Sequence, residues 1–230
     1  MSAFGNEERT LKTYASINNG KITVRAKDQN AIGPNGANPK SREITDKQTG
    51  EKRTIHEFIY DFLKGNLTSV KILKHEKFGW QYIIELSNVG DNIELTIPAD
   101  SKYGDSFVTK LPNLKLGAYY SIKPYNFEDK EKRNKKGEPV KQIGVTILID
   151  GDKDKKVQPA FTKENQGNKP LPTSDNMDED DYKAYMITLR KFYRSLVDQF
   201  NAANVSAPKP EQNNTPAPAV NGQEDSDLPF

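Results

Sequence analysis

The chain has 230 residues, enough for one sizeable core with accessories or two small domains, and at 34% hydrophobic and 29% charged it is polar for a globular protein, so part of its length is expected to stay unfolded. Thirty-four Lys and Arg against 32 Asp and Glu leave a formal net charge of +2, and the absence of cysteine excludes disulfides, thiolate metal sites and cysteine nucleophiles. No run approaches the ~18 apolar residues of a membrane span, and the charged opening MSAFGNEERTLKTYASI is unlike a signal peptide, so a cytosolic location away from any membrane is expected.

Residues 1–20 are polar and read as an N-terminal arm. KITVRAK then alternates Ile22 and Val24 with Lys21, Thr23 and Arg25, the period-two pattern of a half-buried strand. Residues 27–53 are crowded with Gly, Pro and Asn and lack apolar periodicity, which predicts a long loop. The runs RTIHEFIYDFL, LTSVKILKH, GWQYIIELS and DNIELTIPA follow as β-branched and aromatic strands separated by Gly- and Asn-containing turns. Residues 100–116 interrupt this meander with a short helix or an irregular cap. AYYSIKPYNF and KQIGVTILIDG add two strands, joined by EDKEKRNKKGEPV. From Lys21 onward this makes about seven strands in roughly 130 residues, a mainly β fold that favours a closed or nearly closed antiparallel barrel over bare sheet edges.

After Gly151 a polar connector leads to a helix over about 178–201, with apolar Tyr182, Met186, Leu189, Tyr193, Leu196 and Phe200 on one face. Whether that face covers the barrel of its own chain or a second copy is open at this point. Residues 203–223 are rich in Ala, Pro, Asn and Gln; too little there could offset roughly 1–2 kcal/mol of backbone ordering entropy per residue, so a disordered linker is expected. It ends in an acidic tip, EDSDLPF, residues 224–230. Without Glu224, Asp225 and Asp227 the formal charge rises from +2 to +5, so a basic body carries an acidic end.

Enzymatic chemistry finds little support. No H-E-x-x-H, G-x-S-x-G, P-loop or G-x-G-x-x-G pattern occurs, and His56 and His75 have no nucleophile near them in sequence. The acids Asp175, Asp178, Glu179, Asp180 and Asp181 fit a solvated helix cap better than a cation site. No cofactor and no metal are expected.

Nucleic-acid binding is better supported. Alternation in AYYSIKPYNF puts Tyr119, Ser121, Lys123, Tyr125 and Phe127 on one face, interleaving rings with an ammonium. Unstacked bases lie on such rings while the cation follows the phosphates, at roughly 1–3 kcal/mol per stacked base. Trp80 and Tyr82 share a second face, Phe58 and Tyr60 a third, with Lys71, Lys74 and Lys77 beside them. Taken singly, Phe58, Ile84 and Trp80 fit a core position better than a base platform, whereas Tyr119 and Tyr125 fit the platform better. The connector carrying Lys130, Lys132, Arg133, Lys135, Lys136 and Lys141 is a basic hairpin able to clamp a strand with salt-sensitive affinity, or merely a solvated surface. The candidate set is therefore Tyr119, Lys123, Tyr125, Phe127, Trp80, Tyr82, Tyr60, Lys71, Lys74, Lys77, Arg133, Lys135 and Lys136.

A β-rich, aromatic and basic body, a polar tether and the terminal Asp227, Leu228, Pro229 and Phe230 resemble the single-stranded-DNA-binding proteins of bacterial and bacteriophage replication. The specific match is the tip, which is similar to the family's acidic end closing in aspartate, an aliphatic residue, proline and phenylalanine. The resemblance implies an OB-fold, sequence-independent binding and protection of single-stranded DNA in replication, recombination or repair, and a tip (Asp225, Asp227, Leu228, Pro229, Phe230) that recruits polymerase, primase, helicase or nuclease partners. Greater length than the compact bacterial type, the long loop and the helix favour a divergent phage version, acting in the host cytoplasm; whether it is a homo-oligomer is left open. A competing reading is a phage structural or assembly protein with a β-barrel and a flexible docking tail.

Overall fold

The computed structural model describes residues 12–33, 36–46, 49–89, 91–133, 137–162, 164–172 and 177–205. Among these residues nine strands form one sheet: β1 (Lys12–Asn18), β2 (Lys21–Arg25), β3 (Lys40–Thr45), β4 (Lys52–Tyr60), β5 (Leu63–His75), β6 (Gly79–Asn88), β7 (Asp91–Pro98), β8 (Tyr119–Arg133) and β9 (Pro139–Ile149), in the order β3-β4-β2-β1-β7-β6-β5-β8-β9. The expectation of a mainly β protein holds. Among the described residues two α-helices accompany the sheet, α1 (Lys102–Val108) between β7 and β8, and α2 (Glu179–Val205) after β9.

Three expectations are corrected. The segment read as an arm contains β1, and the segment read as a long loop contains β3. The sheet is not wholly antiparallel, because β1 runs parallel to β7 in the register Lys12↔Asn92 to Ser16↔Thr96. β1 had been hidden by its polar composition, yet its turn carries a strong signal. Asn19 and Gly20 both have positive φ, 46° and 76°, the Asn-Gly pattern of a tight two-residue hairpin.

That hairpin turn reaches α1 and β8. Gly20 N–H donates to the Tyr103 hydroxyl at 2.8 Å, and Asn126 Nδ2 of β8 donates to Asn19 Oδ1 at 2.6 Å. A Cβ on Gly20 would stand 2.7 Å from the Asn126 backbone nitrogen, so only glycine allows the turn to reach β8. The β1–β2 end therefore meets β8 through a turn contact rather than a strand ladder.

In the core, alternation on β6 buries Tyr82, Ile84 and Leu86, while α1 inserts Phe107 and Val108 and the following 3-10 turn (Leu111–Asn113) inserts Leu111. α2 buries Leu189, Tyr193, Leu196, Val197 and Phe200 against this core, each contributing roughly 1.5–3 kcal/mol by removal from water. Asn201 Nδ2 donates to the Val70 carbonyl at 3.0 Å, and the Leu116 N–H donates to Asn204 Oδ1 at 3.0 Å. The helix thus covers its own chain. Asp178 accepts from the N–H groups of Asp180 and Asp181 at 3.0 and 2.8 Å, the capping role read from sequence. Among the described residues no helix is long and apolar enough to cross a membrane.

Candidate nucleic-acid interface

The β8–β9 pairing creates the site. The register sets Ser121 opposite Leu148, Lys123 opposite Thr146, Tyr125 opposite Gly144 and Phe127 opposite Gln142, and these side chains share the face that points away from Tyr120, Ile122, Val145 and Ile147. They form the floor of an open groove of about 880 Å³. One wall comes from Phe62 and Lys64 at the start of β5, which pairs with β8 through Lys64↔Ser121. The other comes from the chain after β9. Asp150 and Gly151 turn at positive φ, 53° and 72°, and the return segment binds β9 through Ile149 N–H to the Lys155 carbonyl and Val157 N–H to the Ile147 carbonyl, both at 2.9 Å. This turn brings Lys153, Asp154 and Lys156 to the rim.

Five lysines line the groove, Lys64, Lys123, Lys132, Lys153 and Lys156, against Asp129 and Asp154. Lys132 lies 3.5 Å from Asp129, whereas no ion pair engages Lys64, Lys123, Lys153 or Lys156 among the described residues. Asp61, near the same end, is held below the ordinary carboxylate range by the Lys21 ammonium bonded to it at 2.5 Å and more weakly by Lys123. The groove is therefore net positive and has uncommitted ammonium groups.

Its rings are accessible. Phe127 is 55% exposed and Phe62 47%, and the Lys64 ammonium stands 4.8 Å from the Phe62 ring centroid. The Tyr125 and Phe127 centroids are 5.8 Å apart with planes inclined by 43°. Tyr125 lies across β9 above Gly144; a Cβ there would be 2.5 Å from its hydroxyl oxygen and 2.8 Å from Ser106 Oγ. Aromatic faces at uneven tilt between free cations can take splayed, unstacked bases with their phosphates on the ammonium side.

Of the residues singled out from sequence, Lys123, Tyr125 and Phe127 meet in this groove. Tyr119, on the same face, is half-buried at the start of β8 opposite Asn66 and is not part of the lining. Tyr82 is corrected to a core residue: it is fully buried on the face it shares with Ile84 and Leu86, so no base can reach its ring. Trp80, at the end of that face, packs against the core and under the Arg194 guanidinium of α2, 5.1 Å from the ring centroid. Tyr60 is half-buried and lines a different pocket.

Lys71 is exposed on β5 and outside the groove lining, 3.5 Å from Glu85, which also binds Lys12 at 2.9 Å. Lys77 is 3.7 Å from Asp46, and Lys74 is exposed on β5 opposite Trp80. Arg133 is exposed at the end of β8 beside Lys132. Lys135, Lys136 and the tip residues Asp225, Asp227, Leu228, Pro229 and Phe230 lie outside the described residues.

Sequence reasoning missed Phe62, Lys64, Gly144, Lys153 and Lys156. The Asp150-Gly151 turn signal was available in sequence, but the pairing that sets its lysines across from β8 was not. Comparison of the chain with protein-family models, with curated proteins and with solved structures finds no match.

Proposed function

We propose that the protein binds single-stranded DNA without regard to base order, through the β8–β9 groove, and protects it during phage-type replication, recombination or repair. The observation that carries this reading is the coincidence of Tyr125, Phe127 and Phe62 with five lysines in one open groove. Four of those lysines form no ion pair among the described residues, so a polyanion would add charge pairs there without breaking existing ones.

The strand order supports an OB-fold-like reading of the central body. A β5–β6–β7 meander, α1, and a β8–β9 hairpin whose first strand returns to pair with β5 follow the course of a five-stranded Greek-key barrel. β1 then extends β7 in parallel, and β2–β4 and α2 are additions. In this reading the acidic tip, through Asp227, Leu228, Pro229 and Phe230, recruits replication or repair proteins bearing basic, apolar-floored pockets.

The test is anisotropy of labelled oligo-dT, duplex DNA and oligo-rU with the full chain at two salt concentrations. We expect oligo-dT to bind and duplex to bind far more weakly. If the five groove lysines each meet one phosphate, log K should fall by roughly 3.5 per tenfold rise in salt. No oligo-dT binding in dilute buffer overturns the proposal.

A further inference from the structure

Beside the groove lies a second, smaller cavity of about 430 Å³ whose walls include Ile22, Val24, Phe58 and Ile93. Phe62 and Lys64 line both spaces, so the cavity opens where the groove ends. Its surroundings contain two features that folding alone leaves unexplained. Ile32 at the cavity is 80% exposed and Phe62 is 47% exposed, an apolar rim left uncovered. Tyr60, also on the cavity wall, keeps a buried hydroxyl with no hydrogen-bond partner among the described residues. Burial raises the Tyr60 pKa, so the phenol stays protonated.

Flat apolar walls with a few polar groups describe a small-ligand pocket. The polar residues here whose groups can meet a ligand are Thr13, Lys64, Asn88 and Asp91. The ligand that fits beside a basic groove is one whose faces are apolar, whose edge accepts and donates hydrogen bonds, and which is attached to a phosphate. We infer that this cavity receives a single nucleobase, turned out of the strand that lies in the groove, with Lys64 holding the adjoining phosphate at the mouth. The inference rests on the single-stranded-DNA reading and deepens it: one nucleotide is bound by enclosure while its neighbours are bound on open rings. That nucleotide sets the register of the strand on the protein.

Methyl-labelled full-length protein, titrated with dT8, with dT8 carrying one abasic residue, and with thymidine monophosphate, tests it. We expect dT8 and thymidine monophosphate both to shift the methyl resonances of Ile22, Val24 and Ile93. Val24→Phe, which fills the cavity, should weaken dT8 binding about tenfold, the loss of one base contact, with its salt slope unchanged because the groove lysines are untouched. Should that variant fail to fold, Ile32→Glu, on the exposed rim of the cavity, should lower thymidine monophosphate affinity several-fold by placing a carboxylate beside the phosphate.

Salt-sensitive dT8 binding with silent cavity methyls and both variants at wild-type affinity overturns the pocket and leaves the groove standing. Cavity methyls that move when residues 224–230 are deleted, and not when dT8 is added, overturn it in favour of the chain's own tip as occupant. If the wild-type protein ignores dT8 at low salt, the groove reading falls and takes the pocket with it.

Discussion

The Tyr125 ring lies across β9 only because Gly144 has no side chain; the 2.5 Å to which a Cβ would approach its hydroxyl oxygen is far inside van der Waals contact. Ser106 Oγ, which accepts the Val145 N–H at 3.1 Å, closes the other side of the same gap, so a methyl at position 144 must push the ring outward or strain α1. We expect Gly144→Ala to cost about 1–3 kcal/mol of stability by overpacking and to weaken oligo-dT binding about tenfold through the displaced platform. Denaturant melts and anisotropy measure the two effects separately. Tyr82→Phe is the matched control. Its hydroxyl is buried without a partner and its pKa is pushed far up by burial, so removing the oxygen should leave binding unchanged and stability equal or higher.

These two tyrosines show why residue identity alone could not assign the site. Tyr82 and Tyr125 sit at alternate positions of β-patterned runs with polar neighbours. Which face of β6 or β8 turns inward depends on what packs behind it. α1, inserting Phe107 5.8 Å from the Tyr82 ring centroid, decides that for Tyr82.

At the scale of elements, the outer face of β1, β7 and β6 is held by a charge cluster. Lys12 binds Glu94 at 2.6 Å and Glu85 at 2.9 Å, and Lys71 stands 3.5 Å from Glu85. Hydrogen bonds to Glu94 and Glu85 raise the Lys12 pKa, and the bond from Lys12 lowers that of Glu85. The depressed Glu85 pKa contributes stability that is present above its ordinary value of 4.5 and is lost as pH falls through the folded value. The raised Lys12 pKa contributes stability present below 10.5, so at acid pH only the glutamate side of the pair is lost. Lys12→Met should therefore destabilise by about 0.5–1 kcal/mol near neutrality, the range for partly exposed pairs. The difference from wild type should shrink as pH is lowered below 4.5 and persist up to pH 10, as read by thermal melts across that range.

The same cluster explains why Lys71 is a weaker candidate than its sequence setting suggested. Its charge already faces a carboxylate, Glu85, outside the groove lining. Elements with clear periodicity, β5 to β9 and α2, were legible because apolar spacing survives without tertiary knowledge. β1 and β3 were not, because KTYASIN and KSREIT are too polar to announce burial and become strands through pairing with β7 and β4.

For the whole molecule, the distribution of charge matters more than its total. A net +2 becomes +5 without Glu224, Asp225 and Asp227, and the groove concentrates five of the body's lysines. If the proposed tip competes weakly for that groove, deleting residues 224–230 should leave oligo-dT affinity equal or slightly higher. The same deletion should abolish co-purification with replication proteins; retention of those partners by the truncated chain would refute the recruiting role.

Sequence by itself determined the mainly β class, the amphipathic helix expected over about 178–201 and the strand that carries Lys123, Tyr125 and Phe127 on one face, since each follows from local periodicity within one segment. Tertiary structure alone decided that Phe62, Lys64, Lys153 and Lys156 stand around that strand, that Gly144 makes room for its tyrosine, and that Tyr82 belongs to the core. The physical reason is distance along the chain. Side-chain alternation is written within a few residues, whereas the partner across a ladder, and the face that a packed helix seals, come from contacts between segments tens of residues apart.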